Sequence, residues 1–234
     1  AGSMNDRNPP EFAADEDADL TPYLLQLLEG KTLGEDETSS AFEAIMTGRA
    51  HHAEVGAFLA LLARRLPTAN ELTGAAKVMR KKVDRLETGV DPEELLDTAG
   101  TGGAPKTFNV STAAAIVAAA SGAKVAKHGN RSRTGRGSAE VLEALGVNVG
   151  ASRSIQQKSL KETNVCFCFA VHHHPAAKHA MPVRKALGFP TIFNLLGPLT
   201  NPAGAGRQVM GVYKPEFIPV VAETLSRLGS VRAI

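Results

Sequence analysis

The sequence predicts an α/β protein, with a small all-helical N-terminal domain and a larger domain whose mostly parallel sheet is flanked by helices. In residues 20–90, apolar side chains recur at three- and four-residue spacing, which is typical of packed helices. From residue 91 onward, short apolar runs alternate with helical stretches, the order of right-handed β-α-β units. We therefore divide the chain at 1–19, 20–90 and 91–234, and expect helices within 172–200 to pack on the helical domain.

The first residues are expected to lie outside the fold. Ala1-Gly2-Ser3 before Met4 resembles a remnant of an expression vector. Residues 5–19 are acidic, contain two prolines and have few large apolar side chains, a composition typical of disordered tails.

The helical domain is predicted to begin at Thr21-Pro22, read as N-cap and first helical residue. Further helices are predicted at 38–46, 54–65 and 69–86, where apolar residues follow the helical period. A layer of this kind more often serves packing or a subunit interface than an active site.

The larger domain is predicted to contain strands near 94–99, 123–127, 147–149, 165–170, 208–213 and 231–234. A helix at 112–121 joins the first two strands and ends before Gly122. In open parallel sheets, ligands bind beyond the carboxyl ends of the strands. The two polar, glycine-containing loops of the chain, at 100–107 and 127–131, follow the first two predicted strands.

The first of these loops is predicted to bind phosphate. Gly100, Gly102 and Gly103 can adopt positive φ and turn backbone N–H groups toward an anion. Ser111 and Thr112 then open the helix, as caps that could also touch a ligand. A dinucleotide-binding fingerprint is excluded because Pro105 stands at its third glycine, and a P-loop is excluded because no Gly-Lys-Ser/Thr is present there.

Composition argues against several other functions. A formal net charge of +2 predicts no nucleic-acid partner, and no stretch approaches the roughly 20 apolar residues of a membrane span. Cys166 and Cys168 are expected to be buried thiols on opposite faces of a strand, without a disulfide or metal role. The three consecutive histidines at 172–174 are not expected to bind metal, since their side chains diverge. We predict a cytoplasmic protein.

Five motifs together resemble the anthranilate phosphoribosyltransferase family of tryptophan biosynthesis. Four of them are Gly-Thr-Gly-Gly at 100–103, Thr-Phe-Asn-x-Ser-Thr at 107–112, Lys-His-Gly-Asn-Arg-Ser at 127–132 and Gly-Ser-Ala-Glu at 137–140. The fifth has two parts, Pro-Val-Arg-Lys-Ala-Leu-Gly at 182–188 and Thr-Ile-Phe-Asn-Leu-Leu-Gly-Pro-Leu-Thr-Asn-Pro at 191–202. The resemblance runs from about Leu20 to Ile234. It implies a glycosyltransferase that moves the phosphoribosyl group of 5-phosphoribosyl 1-pyrophosphate to the amine of anthranilate, releasing pyrophosphate.

The resemblance also implies the site. It assigns no catalytic residue, because the aromatic amine is already neutral at pH 7 and positioning carries the reaction. Anthranilate would contact Gly100, Asn130 and Arg184, whose planar fork suits a carboxylate. Mg²⁺ would take one ligand from Ser111, and the protein would be a homodimer through the helical domain. The donor would contact Gly100, Thr101, Gly102, Gly103, Thr107, Asn109, Val110, Ser111, Thr112, Lys127, His128, Gly129, Asn130, Arg131, Ser132 and Ser138.

Three departures from the family pattern stand out. Ala104 replaces an aspartate at the end of the glycine loop, and that loop and the one at 133–137 are each one residue short. Pro190 replaces an arginine, and the chain ends at Ile234 before the family's acidic metal pair. We therefore expect a C-terminally truncated member with an incomplete α/β domain, weak donor binding and slow turnover.

Two alternatives stay open at this point. Pyrimidine nucleoside phosphorylases share the architecture, and thymidine turnover would reveal one. A non-catalytic relative that binds nucleic acid would show a salt-dependent shift with DNA.

Overall fold

Helices account for the whole N-terminal part of the described chain. The computed structural model describes residues 18–102, 108–132 and 135–234. Phe42, Phe58 and Leu72 are fully buried and form the centre of this part. The helices are α1 (Thr21–Leu28), α2 (Glu35–Met46), α3 (His52–Ala63) and α4 (Ala69–Lys81).

Two helix ends differ from prediction. Thr21 is the first helical residue and not the N-cap, which is Leu20; the Thr21 N–H is satisfied by Oδ1 of Asp19 at 2.8 Å. Helix α4 ends at Lys81 and not at residue 86. Leu86 keeps the apolar spacing but packs with Leu95 in the core of the other half. The apolar spacing therefore continues past the end of α4 into a segment that is not helical and that packs in a different hydrophobic core.

The second half alternates strands and helices, with short 3-10 segments at Pro92–Glu94, Pro175–His179, Gly197–Leu199 and Pro215–Phe217. The strands are β1 (Leu95–Gly100), β2 (Lys124–Gly129), β3 (Val165–Phe169), β4 (Arg207–Gly211) and β5 (Arg232–Ala233). The helices are α5 (Val110–Ala120), α6 (Ser138–Ala144), α7 (Arg153–Thr163), α8 (Ala170–His173), α9 (Met181–Leu187), α10 (Ile192–Leu196) and α11 (Ile218–Arg227).

The described strands form one parallel sheet in the order β3-β2-β1-β4-β5. The chain builds outward from β1 in one direction through β2 and β3, then returns to the other side of β1 for β4 and β5. This reversal makes β1 and β4 the switch point of the sheet, where a crevice opens beyond the strand ends. The predicted fold class is confirmed.

Two local predictions in this half are wrong. Residues 147–149 form no strand: the chain turns at Gly146 (φ 86°), and the Val147 N–H returns to the Leu142 carbonyl at 2.9 Å, which closes α6. Cys166 and Cys168 share one face of β3 and their buried thiols interact, as side chains two residues apart on a strand must.

The helices after β3 pack on the N-terminal helices. Val183, Ile192, Phe193 and Leu196 belong to the same buried cluster as Phe42. Phe193 packs against Phe42 in a tilted arrangement, with ring centroids 5.4 Å apart. Within the described ranges, no helix has the length and apolar character needed to cross a bilayer.

Glu71 is a fully buried carboxylate that ties the N-terminal helices together. It accepts two hydrogen bonds from Arg65, at 2.8 and 2.6 Å, and one each from the backbone N–H groups of Leu33 and Thr68. Burial alone would raise its pKa, but the bonds from Arg65, Leu33 and Thr68 lower it below the usual value. A depressed pKa means that this carboxylate stabilises the fold above pH 4.5 and that the contribution is lost as the pH falls.

Glu71→Gln is expected to lower the free energy of unfolding by about 2 kcal/mol at pH 7, because the amide cannot accept all four bonds. Urea unfolding at pH 7 and at pH 4 measures it, and the gap to wild type should narrow at the lower pH. Glu29→Gln, in an exposed pair with Lys31, is the control and should cost well under about 1 kcal/mol. An equal loss at both pH values would show that shape, and not charge, is what matters at residue 71.

Candidate active site

The loop after β1 is fixed against the loop after β4. The Thr101 N–H donates to the Gly211 carbonyl at 2.9 Å, and its Oγ1 accepts from the Tyr213 N–H at 3.1 Å. Gly102 has φ +69°, a conformation that favours glycine. Gly100, Thr101 and Gly102 therefore lie at the switch point. Gly103 and Thr107, which were predicted to contact the phosphoribosyl donor, lie outside the described residues.

Helix α5 points its N-terminus at the same edge of the sheet. It begins at Val110, with Asn109 as an N-cap whose side chain makes no capping bond. Ser111 and Thr112 are thus in the first helical turn, so the expectation that they cap the helix is wrong. Oγ1 of Thr98 on β1 donates to the Ser111 carbonyl at 2.7 Å and fixes the helix start to the strand. The first N–H groups of a helix have no intrahelical acceptor and attract anions.

Lys127 brings a buried positive charge to this helix start. Its side chain is 3% exposed on β2, and Nζ donates to the Thr98 carbonyl at 2.5 Å and to Oγ of Ser111 at 3.3 Å. An ammonium group beside the N-terminus of a helix is a typical arrangement for holding phosphate.

The side chain of His128 is directed at the Gly197–Leu199 segment and at His174. Its Nδ1 lies 2.9 Å from the Gly197 carbonyl and its Nε2 lies 3.2 Å from Nε2 of His174. A carbonyl only accepts, so Nδ1 of His128 donates to it, and Nε2 of the neutral ring is left as an acceptor facing His174. Burial and the His174 ring lower the pKa of His128 well below its usual value. The ring is therefore neutral at pH 7 and holds the Gly197–Leu199 segment.

The described residues between Gly129 and Ser138 form several contacts with one another. An added Cβ at Gly129 would run into the Ser138 hydroxyl and the Phe167 ring, so only glycine fits. The Asn130 carbonyl accepts from Oγ of Ser138 at 3.3 Å, and the exposed Asn130 side chain accepts from the Arg131 N–H at 2.8 Å.

Arg131 and Ser132 also find partners within this loop region. Both guanidinium nitrogens of Arg131 bind Glu143, at 2.7 and 2.6 Å, and its charge is thereby neutralised. Ser132 receives the Arg136 N–H at 2.9 Å, and Asn109 donates to the Arg136 carbonyl at 3.3 Å. For the Arg131 side chain to bind the phosphoribosyl donor, its ion pair with Glu143 would have to break.

Arg184 on α9 is a partly buried cation without an anionic partner among the described residues. Its guanidinium carbon lies 4.7 Å from the centre of the Phe193 ring. Within residues 18–102, 108–132 and 135–234, its guanidinium makes no hydrogen bond or ion pair, and burial lowers its pKa. A buried charge is normally paired. The contact that the described residues do provide is the face of the Phe193 ring.

Several site residues were not predicted from the sequence. Thr98 anchors α5, Tyr213 anchors the β1 loop, and Glu143 neutralises Arg131. The role of Thr98 could have been suspected from the sequence, because it is a polar residue within a buried strand just before the glycines. Glu143 lies about one turn of helix beyond the Gly-Ser-Ala-Glu motif and carried none.

The described residues offer little for a metal ion on their own. They contain no group of three or more His, Cys, Asp or Glu side chains placed to hold one. Ser111 is half-buried at the helix start, and its Oγ already accepts from Lys127. This donor set fits Mg²⁺ that arrives with a phosphate ligand, keeps its waters and takes one protein oxygen.

Comparison with known proteins places both halves in one family. The model described as "Glycosyl transferase family, helical bundle domain" matches residues 21–83, and "Glycosyl transferase family, a/b domain" matches 92–234. Anthranilate phosphoribosyltransferases from Petrotoga mobilis and Halorhodospira halophila are 47% and 49% identical over 91% of this chain, which spans 62% and 63% of their lengths.

Solved structures give the same result. The anthranilate phosphoribosyltransferase of Thermus thermophilus is 43% identical with a TM-score of 0.82, over 88% of this chain and 63% of that one. The Saccharomyces cerevisiae enzyme in complex with PRPP and Mg is 29% identical with a TM-score of 0.79, over 91% and 64%. The chain therefore belongs to this glycosyl transferase family, and anthranilate phosphoribosyltransferases are its relatives there.

Proposed function

We propose that this protein transfers the phosphoribosyl group of 5-phosphoribosyl 1-pyrophosphate to the amine of anthranilate and releases pyrophosphate, a step of tryptophan biosynthesis. The observation that carries the proposal is Arg184, a partly buried cation without a described anionic partner, in a chain similar to anthranilate phosphoribosyltransferases. Anthranilate is an aromatic carboxylate, and a bidentate guanidinium fork suits it. The similarity to these enzymes favours this function over nucleoside phosphorolysis or nucleic-acid binding.

The donor would bind at the edge formed by β1, β2 and the start of α5. Gly100, Thr101 and Gly102 offer backbone groups, Val110, Ser111 and Thr112 offer the first helical turn, and Lys127 offers charge. Asn130 and Ser138 lie at the end of β2 beside them. Charge-assisted hydrogen bonds of roughly 1.5–3 kcal/mol each would orient a multiply charged phosphate. Gly103 and Thr107 remain part of the proposal as neighbours in the same loop.

The chemistry asks mainly for positioning. The amine nitrogen of anthranilate attacks C1 of the ribose, the bond from C1 to pyrophosphate breaks, and the ammonium product releases a proton to solvent. An aromatic amine is neutral at pH 7, so no strong base is needed. Arg184 would hold the carboxylate while Gly100 and Asn130 border the ring, and the fixed loops would keep C1 within reach.

Mg²⁺ would enter with the donor and take Oγ of Ser111 as its protein ligand. When bound, it would neutralise charge on the leaving pyrophosphate. The Saccharomyces cerevisiae relative in complex with PRPP and Mg supports this assignment.

Calorimetric binding tests the function in this chain, which is about 62% of the relatives' length. We expect micromolar to millimolar binding of anthranilate, and binding of the donor that strengthens with Mg²⁺. Loss of anthranilate fluorescence on adding donor would then report turnover, with ribose 5-phosphate as the inactive control. Thymidine cleavage in the presence of phosphate, without anthranilate binding, would overturn the proposal.

Ser111→Ala is expected to raise the KM for the Mg²⁺-bound donor about tenfold, through loss of one charge-assisted contact. Stability should change by less than about 1 kcal/mol, since Ser111 is not the cap of α5. Thermal unfolding and donor titration at several Mg²⁺ concentrations measure both. A lower melting temperature with unchanged donor KM would make the residue structural.

The homodimer also remains a proposal. Leu25 and Leu28 on α1 are 56% and 62% exposed, which suits an interface through the helical part. Light scattering on wild type and on Leu28→Glu measures the mass, and a monomer in both would contradict it. The cytoplasmic location stays a prediction.

A further inference from the structure

Two buried oxygen atoms without a hydrogen-bond partner among the described residues lie on neighbouring strands. They are Oδ2 of Asp97 on β1 and Oε1 of Gln208 on β4, and the residues are 0% and 3% exposed. The register of the sheet sets Asp97 directly beside Gln208. Paired residues of adjacent parallel strands are about 4.8 Å apart and their side chains leave the same face. Each unpaired buried oxygen costs about 1–3 kcal/mol, so a donor shared by both would matter.

The other ends of these side chains are already fixed. Gln208 donates from Nε2 to the Pro198 carbonyl at 2.6 Å, and since a carbonyl cannot donate, the amide cannot be turned around. Oδ1 of Asp97 accepts the His128 N–H at 3.0 Å. The nearby Asn201 amide donates to the Ala126 carbonyl at 2.8 Å. A single proton on the carboxyl group would give both oxygens a partner.

We propose that at mildly acidic pH Asp97 carries a proton on Oδ2 in the folded protein and donates it to Oε1 of Gln208. A chain of hydrogen bonds then runs from the His128 N–H through Asp97 and Gln208 to the Pro198 carbonyl. It crosses β2, β1 and β4 and ends on the segment that the His128 ring also holds.

This chain completes the support of the Gly197–Leu199 segment. Its three successive carbonyls accept from Nδ1 of His128 at 2.9 Å, Nε2 of Gln208 at 2.6 Å and Nε of Arg80 at 2.7 Å. Asp97 and Gln208 are thus positioning residues for the segment packed against the end of β2. That they position it for anthranilate rests on the proposed function.

The charges around Asp97 are compatible with a protonated carboxyl group. Burial raises the pKa of Asp97 to about 6, against the nearby Lys127 charge and against hydrogen bonds to the carboxyl group from the Asn201 side chain and from the backbone of His128 and Thr98. By geometry, Oδ2 is the oxygen that none of these donors reaches well. The Lys127 ammonium donates its described hydrogen bonds to the Thr98 carbonyl and the Ser111 hydroxyl, on the α5 side of the sheet.

The other titratable groups near Asp97 bring no positive charge at neutral pH. Burial lowers the pKa of His174 to about 4, and His128 is neutral as well. The hydrogen bond with Cys166, followed by burial, raises the pKa of Cys168 well above its usual value. A bond donated to Gln208 favours the protonated acid further.

Asp97→Asn separates the protonated from the ionised form. The amide copies the protonated acid, since Oδ1 still accepts from His128 and Nδ2 can donate to Gln208. A raised pKa stabilises the fold below the unfolded value of 3.8, and this contribution is lost as the pH rises through about 6. Relative to Asp97→Asn, the folding equilibrium constant of wild type should therefore fall about a hundredfold between pH 4 and pH 8. Glu94→Gln, an exposed carboxyl group before β1, is the control and should show no such trend.

The infrared difference spectrum between wild type and Asp97→Asn at pH 5.5 gives a direct readout. It should contain the carbonyl band of a protonated carboxyl group, and Gln208→Leu should shift that band toward the frequency of an acid without an acceptor. Absence of the band, or a loss of stability in Asp97→Asn that is equal at every pH, would overturn the proposal in favour of an ionised Asp97 bridged by water. Failure of Asp97→Asn to fold at any pH would do the same, because the amide preserves all the proposed bonds.

The positioning role has its own readout. Gln208→Leu is expected to raise the KM for anthranilate several-fold while the donor KM stays the same, and an unchanged anthranilate KM would overturn that role. Neither the infrared nor the stability measurement depends on turnover. An inactive wild type with the expected band would count against the proposed function alone.

Discussion

Arg184→Met is expected to lower the affinity for anthranilate at least a hundredfold and, at the same time, to make the protein more stable. The first effect follows from losing a charge-assisted, bidentate grip on the carboxylate. The second follows because Arg184 is a partly buried cation without a described anionic partner. Met keeps the length and packs on Phe193 without a desolvation cost, which should outweigh the lost cation–π contact by about 1 kcal/mol.

Two further variants sharpen this experiment. Arg184→Lys retains the charge but not the fork, so anthranilate should weaken about tenfold while the donor KM stays within twofold. Lys185→Met, an exposed neighbour on α9, is the control and should change neither property. Isothermal calorimetry with each substrate and urea unfolding measure both properties in each variant. Equal losses for both substrates would show that Arg184 holds the fold of the site and not anthranilate.

Much of the fold is predictable because periodicity records burial. Alternating strands and helices after residue 91 predict the parallel sheet, and β1 and β2 are buried on both faces, as is typical of central parallel strands. The same signal fails where two cores meet: Leu86 continues the spacing of α4 but packs beside Leu95 on the other side of a linker. It also fails at 147–149, where a β-branched pair follows a helix C-terminus and Val147 stays 42% exposed. Short apolar runs therefore need a buried face before they indicate a strand.

The candidate site is predictable only in part. Glycines, hydroxyls and cations after β1 and β2 mark its position, because the carboxyl ends of parallel strands meet at one edge. The direction of each side chain depends on contacts from distant parts of the chain. His128 turns to Gly197, and Asp97 meets Gln208, far along the chain, through strand register. No local pattern encodes these partners.

The distribution of charge separates function from stability in this protein. Glu71 has a full set of donors, so its charge stabilises the helical part. Arg184 lacks such compensation among the described residues. Arg131 is intermediate, being exposed and neutralised by Glu143. A buried charge without an opposite charge or enough hydrogen bonds lowers the stability of the fold. Natural proteins retain such charges where a ligand supplies the missing partner. On this criterion Arg184 remains our proposed contact for an anionic substrate.

Lys127→Met is expected to weaken donor binding by two to three orders of magnitude, which is about 3–4 kcal/mol. The ammonium is 3% exposed and sits between the Thr98 carbonyl and the Ser111 hydroxyl at the start of α5. A phosphate there would meet a desolvated positive charge in line with the helix dipole, where electrostatic attraction is least screened. Removing the charge leaves the helix N–H groups alone to hold the anion. Stability should fall by about 1–2 kcal/mol as well, because the Thr98 carbonyl loses its donor.

The control for Lys127→Met lies on the same strand. Lys124 binds Oδ1 of Asn164 at 2.5 Å, at the opposite end of β2 from the site, so Lys124→Met should cost some stability and no donor affinity. Calorimetric titration of both variants with the donor, with and without Mg²⁺, separates the two effects, and urea unfolding corrects for any misfolded fraction. If Lys127→Met loses stability and still binds the donor as wild type does, the ammonium serves only to join β1, β2 and α5. The donor phosphates must then be held by backbone groups of the loop after β1.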